Sequence, residues 1–468
     1  MRTRKGKTGI VLTICALSFL LRDRVQANES RSIWIPNGSI IDLVSIEDLE
    51  RAMVPAAVRA VRVQSYYRDL ADSGAAATWI RAARGSHGPG IRRSANGTAW
   101  ALAETVINPS MLGGRNDDRV RRSDTAIAEA LSLANGGLPG ETRAGGRTIV
   151  FSAPRMIPPF PRSGGAYVVS NEIRLQPGVA IIVQQGAEIL AAPHFKGQAI
   201  VASADDCAWQ CVGARIEIDG TLNANSNAPF GILLRSATKV SVTVPGQVIH
   251  APRGALHIGS KTALIPPFEN VIGPFNGYAQ RGRWPATNDP EGVGLELERT
   301  TDNLIHDVVV VGYRIGYRDA GQNNDLRDAH IYTAGERTDG YGPLAICYDL
   351  EGGHALIDDA YCDTPTAMQD RSIKMIAAFR LGTHSEQYII RDPRVFLNYD
   401  NLANNTPPIN LPIHRIDNKS SIRSGNVVDY IYVYSANDQI TALVCSSWAE
   451  AMGRIIHHLS NFGRNLTC

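Results

Sequence analysis

Leu304-Ile305-His306-Asp307, Asp325-Leu326-Arg327-Asp328, Leu356-Ile357-Asp358-Asp359 and Ile389-Ile390-Arg391-Asp392 are four copies of one pattern. Their final Asp residues stand 21, 31 and 33 positions apart (328 − 307, 359 − 328 and 392 − 359). Two before each Asp sits Ile305, Leu326, Ile357 or Ile390, and three after it Val310, Ile331, Cys362 or Val395. Periods of roughly 20–50 residues mark solenoids, in which the longer intervals are coils carrying inserted loops. Side chains alternate along a strand, so the aliphatic columns point inward and the positions between them outward. The runs before this repeat, among them Ile216-Glu217-Ile218-Asp219-Gly220, Gly231-Ile232-Leu233-Leu234, Val240-Ser241-Val242-Thr243-Val244 and Ala255-Leu256-His257-Ile258-Gly259, have no helix between them. That excludes a doubly wound α/β fold.

Further upstream, Ser123-Asp124-Thr125-Ala126-Ile127 opens a helix with Ala126, Ile127, Ala130, Leu131 and Ala134 on one face. Asp124 or Ser123 is placed to cap it, and Asn135-Gly136-Gly137 stops it. Short β-runs follow: Gly145-Gly146-Arg147-Thr148-Ile149-Val150-Phe151, Ala166-Tyr167-Val168-Val169, Glu172-Ile173-Arg174-Leu175 and Gly178-Val179-Ala180-Ile181-Ile182-Val183. This order resembles the opening of the pectate-lyase-like superfamily, where an Asp-x-Thr-x-x-Ile helix plugs the coil ahead of such strands. Asp124-Thr125-Ala126-Ile127 keeps that motif one residue short. The resemblance implies an all-β, right-handed, single-stranded parallel β-helix with an N-terminal capping helix.

Residues 28–105 read as a small N-terminal α+β module, with a helix from Ser45-Ile46-Glu47-Asp48-Leu49 and a strand at Ala60-Val61-Arg62-Val63. The run from Tyr66-Tyr67 through Asp69, Asp72, Ser73 and Gly74 to Thr78-Trp79-Ile80 resembles a segment that precedes the β-helix in phage tailspikes and some secreted bacterial β-helix proteins. Ala75, Ala76 and Ala77 replace most of its usual glycines. The β-helix is expected over 106–446 and a C-terminal cap over 447–468.

Residues 1–27 have the form of a signal peptide. Arg2, Arg4, Lys5 and Lys7 precede an apolar core of 12 residues from Ile10 to Leu21 (21 − 10 + 1), and Val25-Gln26-Ala27 suits cleavage. A bilayer span needs about 20 apolar residues, so this is no membrane anchor. Export fits the cysteines. Beyond Cys15 there are six, Cys207, Cys211, Cys347, Cys362, Cys445 and Cys468. Their order suggests the local bridges Cys207–Cys211, Cys347–Cys362 and Cys445–Cys468, although six cysteines allow about 15 pairings. With 47 basic and 45 acidic residues the net charge is +2, which gives no case for nucleic acid as partner.

Two outward columns flank the repeated Asp. The residue before it gives His306, Arg327, Asp358 and Arg391, and the second residue after it gives Val309, His330, Tyr361 and Arg394. Asp307 and Asp392 read as turn residues capping local backbone N–H groups. Asp328, Asp358 and Asp359 are candidate acids, because crowded carboxylates raise one another's pKa. His330, Tyr361 and Arg327 complete the candidate catalytic set, with Arg394, Arg391, Asp325 and His306 as candidate substrate-binding residues. The polygalacturonase set of Asn-Thr-Asp, Asp-Asp and Gly-His-Gly motifs is absent.

Most proteins of the superfamily that the chain resembles act on glycans, which implies a secreted enzyme acting on a polysaccharide. A lyase on an acidic exopolysaccharide would use His330 or Tyr361 to remove the α-proton while Arg327 or Arg394 neutralises the uronate. A hydrolase with paired carboxylates and a non-catalytic glycan-binding β-helix are the alternatives. No cofactor is required with certainty; Ca2+ and a homotrimer both stay open.

Overall fold

The computed structural model describes residues 40–68, 75–136, 148–154, 165–203, 212–262, 265–279, 292–332, 346–364, 377–381, 387–397, 414–416, 427–428 and 432–435. The signal-peptide segment, the C-terminal cap, residues 69–74 and Cys207, Cys211, Cys445 and Cys468 lie outside them. Among the described residues no helix is long and apolar enough to cross a membrane.

Five strands form the N-terminal sheet: β1 (Ile40–Ser45), β2 (Ala60–Ser65), β3 (Ala77–Arg81), β4 (Ile91–Arg93) and β5 (Ala99–Leu102), in the order β1-β2-β3-β5-β4. Between β1 and β2 runs helix α1 (Ile46–Arg51). The Ser45 hydroxyl accepts from Asp48 N, and the Asp48 carboxylate accepts from Ser45 N, a reciprocal capping box that satisfies two donors at the helix start. Trp79 and Trp100 are fully buried in this module.

The rest is a triangular coil of parallel strands, three faces per turn, wound right-handed as parallel crossovers overwhelmingly are. Face one takes Thr148–Phe151, Ala180–Val183, Arg215–Ile218 and the leading parts of Ser241–Ile249, Val271–Tyr278, Leu304–Val311, Asp325–Tyr332 and Leu356–Thr364, then Ile389–Arg391. The trailing parts of those long strands, with Arg394–Leu397, make face two. Face three is Phe230–Leu234, Gly254–Gly259, Val293–Thr301, Ile315–Gln322, Ile346–Leu350 and Ala377–Leu381.

The four-fold repeat is the corner between faces one and two. Asp307, Asp328, Asp359 and Asp392 have φ of 52°, 51°, 48° and 47°. They sit there because a single left-handed residue turns the chain, and Asp tolerates that conformation better than most non-glycine residues. The corner demands backbone conformation, which goes beyond the capping of N–H groups that the sequence suggests. Ile305, Leu326, Ile357 and Ile390 stack inside it at 0–1% exposure. The corner from face three to face one repeats the device with Lys239, Glu269, Asp302, Asn323, His354 and Gln387. Just inside it, Asn270, Asn303 and Asn324 form a buried ladder: Asn270 Nδ2 donates to Asn303 Oδ1 (2.9 Å) and Asn303 Nδ2 to Asn324 Oδ1 (2.8 Å). Cys347 on face three and Cys362 on face two are joined by a disulfide across the core. A closed loop of 15 residues contributes about 3 kcal/mol.

Helix α2 (Asp124–Gly136) covers the coil's open end, burying Ala126, Ile127, Ala130, Leu133 and Ala134. Leu131, expected on that face, is only partly buried, and Leu133 takes the deeper place. Asp124 does not close its own helix: its carboxylate accepts from Ser170 N (2.8 Å) and Asn171 N (3.1 Å), pinning α2 to the first coil. Ser123 supplies its carbonyl to Ile127 N, while its hydroxyl bonds the Arg115 backbone. On the other side of α2, Glu129 accepts from Gly90 N and Arg92, which ties on the N-terminal sheet. The Tyr66-Tyr67 pair makes the second tie, with Tyr67 Oη donating to Gly113 O at 3.0 Å and Arg115 lying over the Tyr67 ring.

Candidate functional site

The two columns read from the sequence are real ladders. His306, Arg327, Asp358 and Arg391 lie in register on face one, and Val309, His330, Tyr361 and Arg394 on face two. The Asp corner separates them, so together they straddle an edge of the prism. His330 and Tyr361 stack at 4.3 Å between ring centres and 31° between planes. Burial lowers the His330 pKa, so its imidazole is mostly neutral at pH 7. Arg394 pairs with Asp359 (2.7 Å), Arg391 with Asp358 (3.9 Å), Arg327 with Asp325 (3.3 Å) and His306 with Asp307 (2.9 Å). The Asp359 carboxyl is pushed up by burial and by Asp328, Asp358 and Asp392, against the opposing pull of Arg394. The carboxylates the sequence singled out are thus gathered around one corner, with an arginine on each side.

A second constellation lies on face three. Its outward column runs, in register, Leu233, His257, Glu296, Arg318, Asp349, Arg380. It is a ladder of alternating charge. Glu296 Oε2 lies 3.1 Å from His257 Nδ1 and Oε1 lies 3.3 Å from Arg318. The Arg318 guanidinium also donates to Asp349 (3.0 Å), and Arg380 donates to Asp349 (2.6 Å) and approaches Glu351 (3.5 Å). Two residues along, a parallel column holds Gly259, Glu298 and Ala320, with Glu351 next after the paired Leu350. Glu298 Oε2 stands 3.4 Å from His257 Nε2.

His257 is the centre of this cluster. Burial alone would lower its pKa, yet Glu296 and Glu298 raise it to about 9, so it is cationic at neutral pH. Against the cost of burial, the same contacts hold Glu296 below the usual carboxylate range. The His257 contact is the largest influence on Glu298, and it lowers that carboxyl. These groups border a cavity of about 450 Å³. Phe230 and Leu233 supply an apolar floor, and Arg253 lies over the Phe230 ring. The charged lining is Arg235, Arg253, Lys261 and Arg318 against Glu296 and Glu298, a surplus of +2 (4 − 2), or +3 with His257 protonated. Gly259 has φ of 102°, and a Cβ there would stand 1.8 Å from Glu298 O, so only glycine lets the two coils close at this wall.

None of these face-three residues belongs to the sequence-read site. The signal was present in Leu295-Glu296-Leu297-Glu298, whose strict alternation puts both acids outward, and in His257 as the one polar residue of its strand. Alignment on the Asp column hides it. Arg318 follows its corner Asp by 11 residues (318 − 307), whereas Asp349 follows by 21 (349 − 328), because the connections from face two to face three differ in length. Among the described residues no group of three or more His, Cys, Asp or Glu is placed to hold a metal, so no residue is assigned to Ca2+.

No protein-family model matches the sequence, and no curated protein does. Solved structures do match. A tailspike protein, gp49, of the Acinetobacter baumannii bacteriophage Fri1, described as a capsular polysaccharide depolymerase, shares 10% identity at a TM-score of 0.50, over 85% of this chain and 69% of its own. ORF18 of Geobacillus virus E2 shares 12% identity at 0.47, over 87% and 72%. The enzymatically active domain of tailspike protein 2 of bacteriophage CBA120 shares 10% at 0.46, over 89% of this chain, which spans only 55% of that one. At these identities the likeness is one of fold.

Proposed function

From a chain with the tailspike-like right-handed β-helix fold, we propose an enzyme that cleaves an acidic polysaccharide at the pocket of face three. The pocket's cationic rim over an apolar floor carries this reading: Phe230 and Leu233 offer a sugar ring an apolar face, and Arg253, Lys261 and His257 stand at the cavity for its acid group, while Arg318 and Arg235 are paired with Asp349 and Glu172. Hydrolysis is the reaction the carboxylates support best. Glu298 and Glu351 stand two coils apart in one column, about 9.6 Å at the backbone from a strand spacing of about 4.8 Å. Inverting hydrolases hold their two carboxyl groups roughly 6.5–9.5 Å apart, a gap wide enough for a water and just under this backbone spacing, so the two side chains must incline toward each other to serve. Ala320 stands between them in the column, with no side chain beyond its Cβ. Asp349 is fully buried beneath Arg318 and Arg380, so it positions those arginines and does not meet substrate.

Incubation with a panel of acidic exopolysaccharides, followed for reducing ends and for the absorbance of unsaturated uronates, tests this. Reducing ends without absorbance are expected. Glu351→Gln should lower turnover by about 10²-fold or more, the contribution of a positioned base, while moving stability by under about 0.5 kcal/mol. Full activity in Glu351→Gln would remove the pair from the mechanism.

A second reading rests on the neutral His330 stacked on Tyr361 beside Arg394, Arg391 and Arg327: β-elimination at the corner. It expects an unsaturated product, lost by about 10²-fold in His330→Ala and Tyr361→Ala and spared in Glu351→Gln.

A further inference from the structure

We propose that Glu298 occupies, before substrate binds, the place that a substrate's acid group takes on His257 and Lys261. The inference rests on the reading that face three receives an acidic glycan and adds how the pocket is kept ready for one. A cluster of this charge cannot leave its cations bare in a half-buried site, because a desolvated charge is costly without a partner. Two carboxylates of one strand answer His257, and they are not equal. Glu296 is gripped from both sides, 3.1 Å from the imidazole and 3.3 Å from Arg318. Glu298 is held at 3.4 Å by His257 and at 3.6 Å by Lys261, whose side chain is 85% exposed. Charge-assisted hydrogen bonds run at about 2.7–2.9 Å, so the grip on Glu298 is loose.

A further feature points to an external ligand. The guanidinium of Arg253 is also at the cavity, over Phe230, within reach of the same incoming group. A uronate carboxylate, the proposed ligand class, brings two acceptor oxygens that can address His257 and Lys261 together.

Displacement has a consequence for protons. Freed from His257, Glu298 keeps the burial and the neighbouring Glu296 charge that favour its protonated form, and loses the contact that opposed them most. The groups facing it are then Glu296, His257, Lys261, Arg318, Arg235 and Arg253, with the anion now compensating the cations. A carboxyl that takes up a proton as substrate arrives is what protonation of a leaving oxygen requires.

Calorimetric titration with sodium glucuronate, repeated in buffers of different ionisation enthalpy, tests this on the whole protein. Wild type should bind with uptake of part of a proton. Glu298→Gln, which keeps the shape and removes the competitor, should bind glucuronate about tenfold more tightly with that uptake gone, and should bind neutral glucose as wild type does. Unchanged or weaker glucuronate binding by Glu298→Gln, equal proton uptake in both proteins, or no glucuronate binding by either would overturn the proposal. Cleavage is read separately on the polysaccharide panel: tightened binding without any cleavage sinks the hydrolase reading and leaves the displacement intact.

Discussion

Changing Ile357 to Asp is expected to leave no cooperatively folded protein. Ile357 has no exposed surface and sits in register between Leu326 and Ile390, at the inner side of the corner. Around it runs the aliphatic column, in one core cluster with Cys362, which is itself fully buried and bonded to Cys347. None of them can pair with a carboxylate. An uncompensated buried charge costs several kcal/mol, against a total stability of about 5–15 kcal/mol for an ordinary domain. A coil also relies on its two neighbours alone, so one failed rung severs the stack. Ile389→Asp is the control: that residue points outward at 42% exposure, and its column already holds Asp325. It should melt like wild type, within about 0.5 kcal/mol. Circular dichroism melts of both variants give the answer, and a soluble Ile357→Asp chain with a cooperative transition would refute the inward assignment.

The fold was legible because its corners are local. One left-handed residue per turn, filled by Asp307, Asp328, Asp359 and Asp392, leaves a fixed offset to the aliphatic residues on either side, and a repeat can be found wherever offsets are fixed. The capping helix was legible for a similar reason, since Ala126, Ile127, Ala130 and Ala134 follow a single helical period. The face-three cluster was not legible. Its ladder, His257-Glu296-Arg318-Asp349-Arg380, is assembled through connections of unequal length, so no single period in the sequence marks it. Alternation within one strand could have shown that Glu296 and Glu298 face out. It could not have shown that His257, 39 residues earlier (296 − 257), stands between them. The corner strip is the converse case: a periodic arrangement that the sequence displays clearly, whose chemistry the sequence leaves undecided between structure and catalysis.

Acidification from pH 7.5 to 4.5 should narrow the stability gap between wild type and Asp319→Asn. Asp319 occupies an inward position of face three with no exposed surface, where Ile258, Leu297 and Leu350 hold the equivalent places. Its Oδ1 accepts from Gly321 N and Asn324 Nδ2, both at 2.9 Å, which fixes the turn carrying the asparagine ladder. Its Oδ2 accepts from Tyr388 Oη at 3.1 Å. Burial nevertheless dominates these bonds, and the carboxyl is pushed up to about 6 from 3.8. A carboxyl raised in this way binds its proton more tightly folded than unfolded. The stability it contributes is therefore fully present below pH 3.8 and is lost as pH rises through about 6. The difference of 2.2 units (6 − 3.8) corresponds to about 3 kcal/mol at about 1.36 kcal/mol per unit. Other carboxylates, Glu296 and Glu298 among them, are lowered and pull the other way on acidification, so the variant is needed to isolate this one. Asn keeps an oxygen for Gly321 and Asn324, and its amide can donate to Tyr388 Oη, so the turn survives. Denaturant unfolding at both pH values should show Asp319→Asn the more stable at pH 7.5, with most of that advantage gone at pH 4.5. A gap that stays constant with pH would mean that Asp319 does not titrate in this range, and that the ladder turn holds its carboxylate ionised.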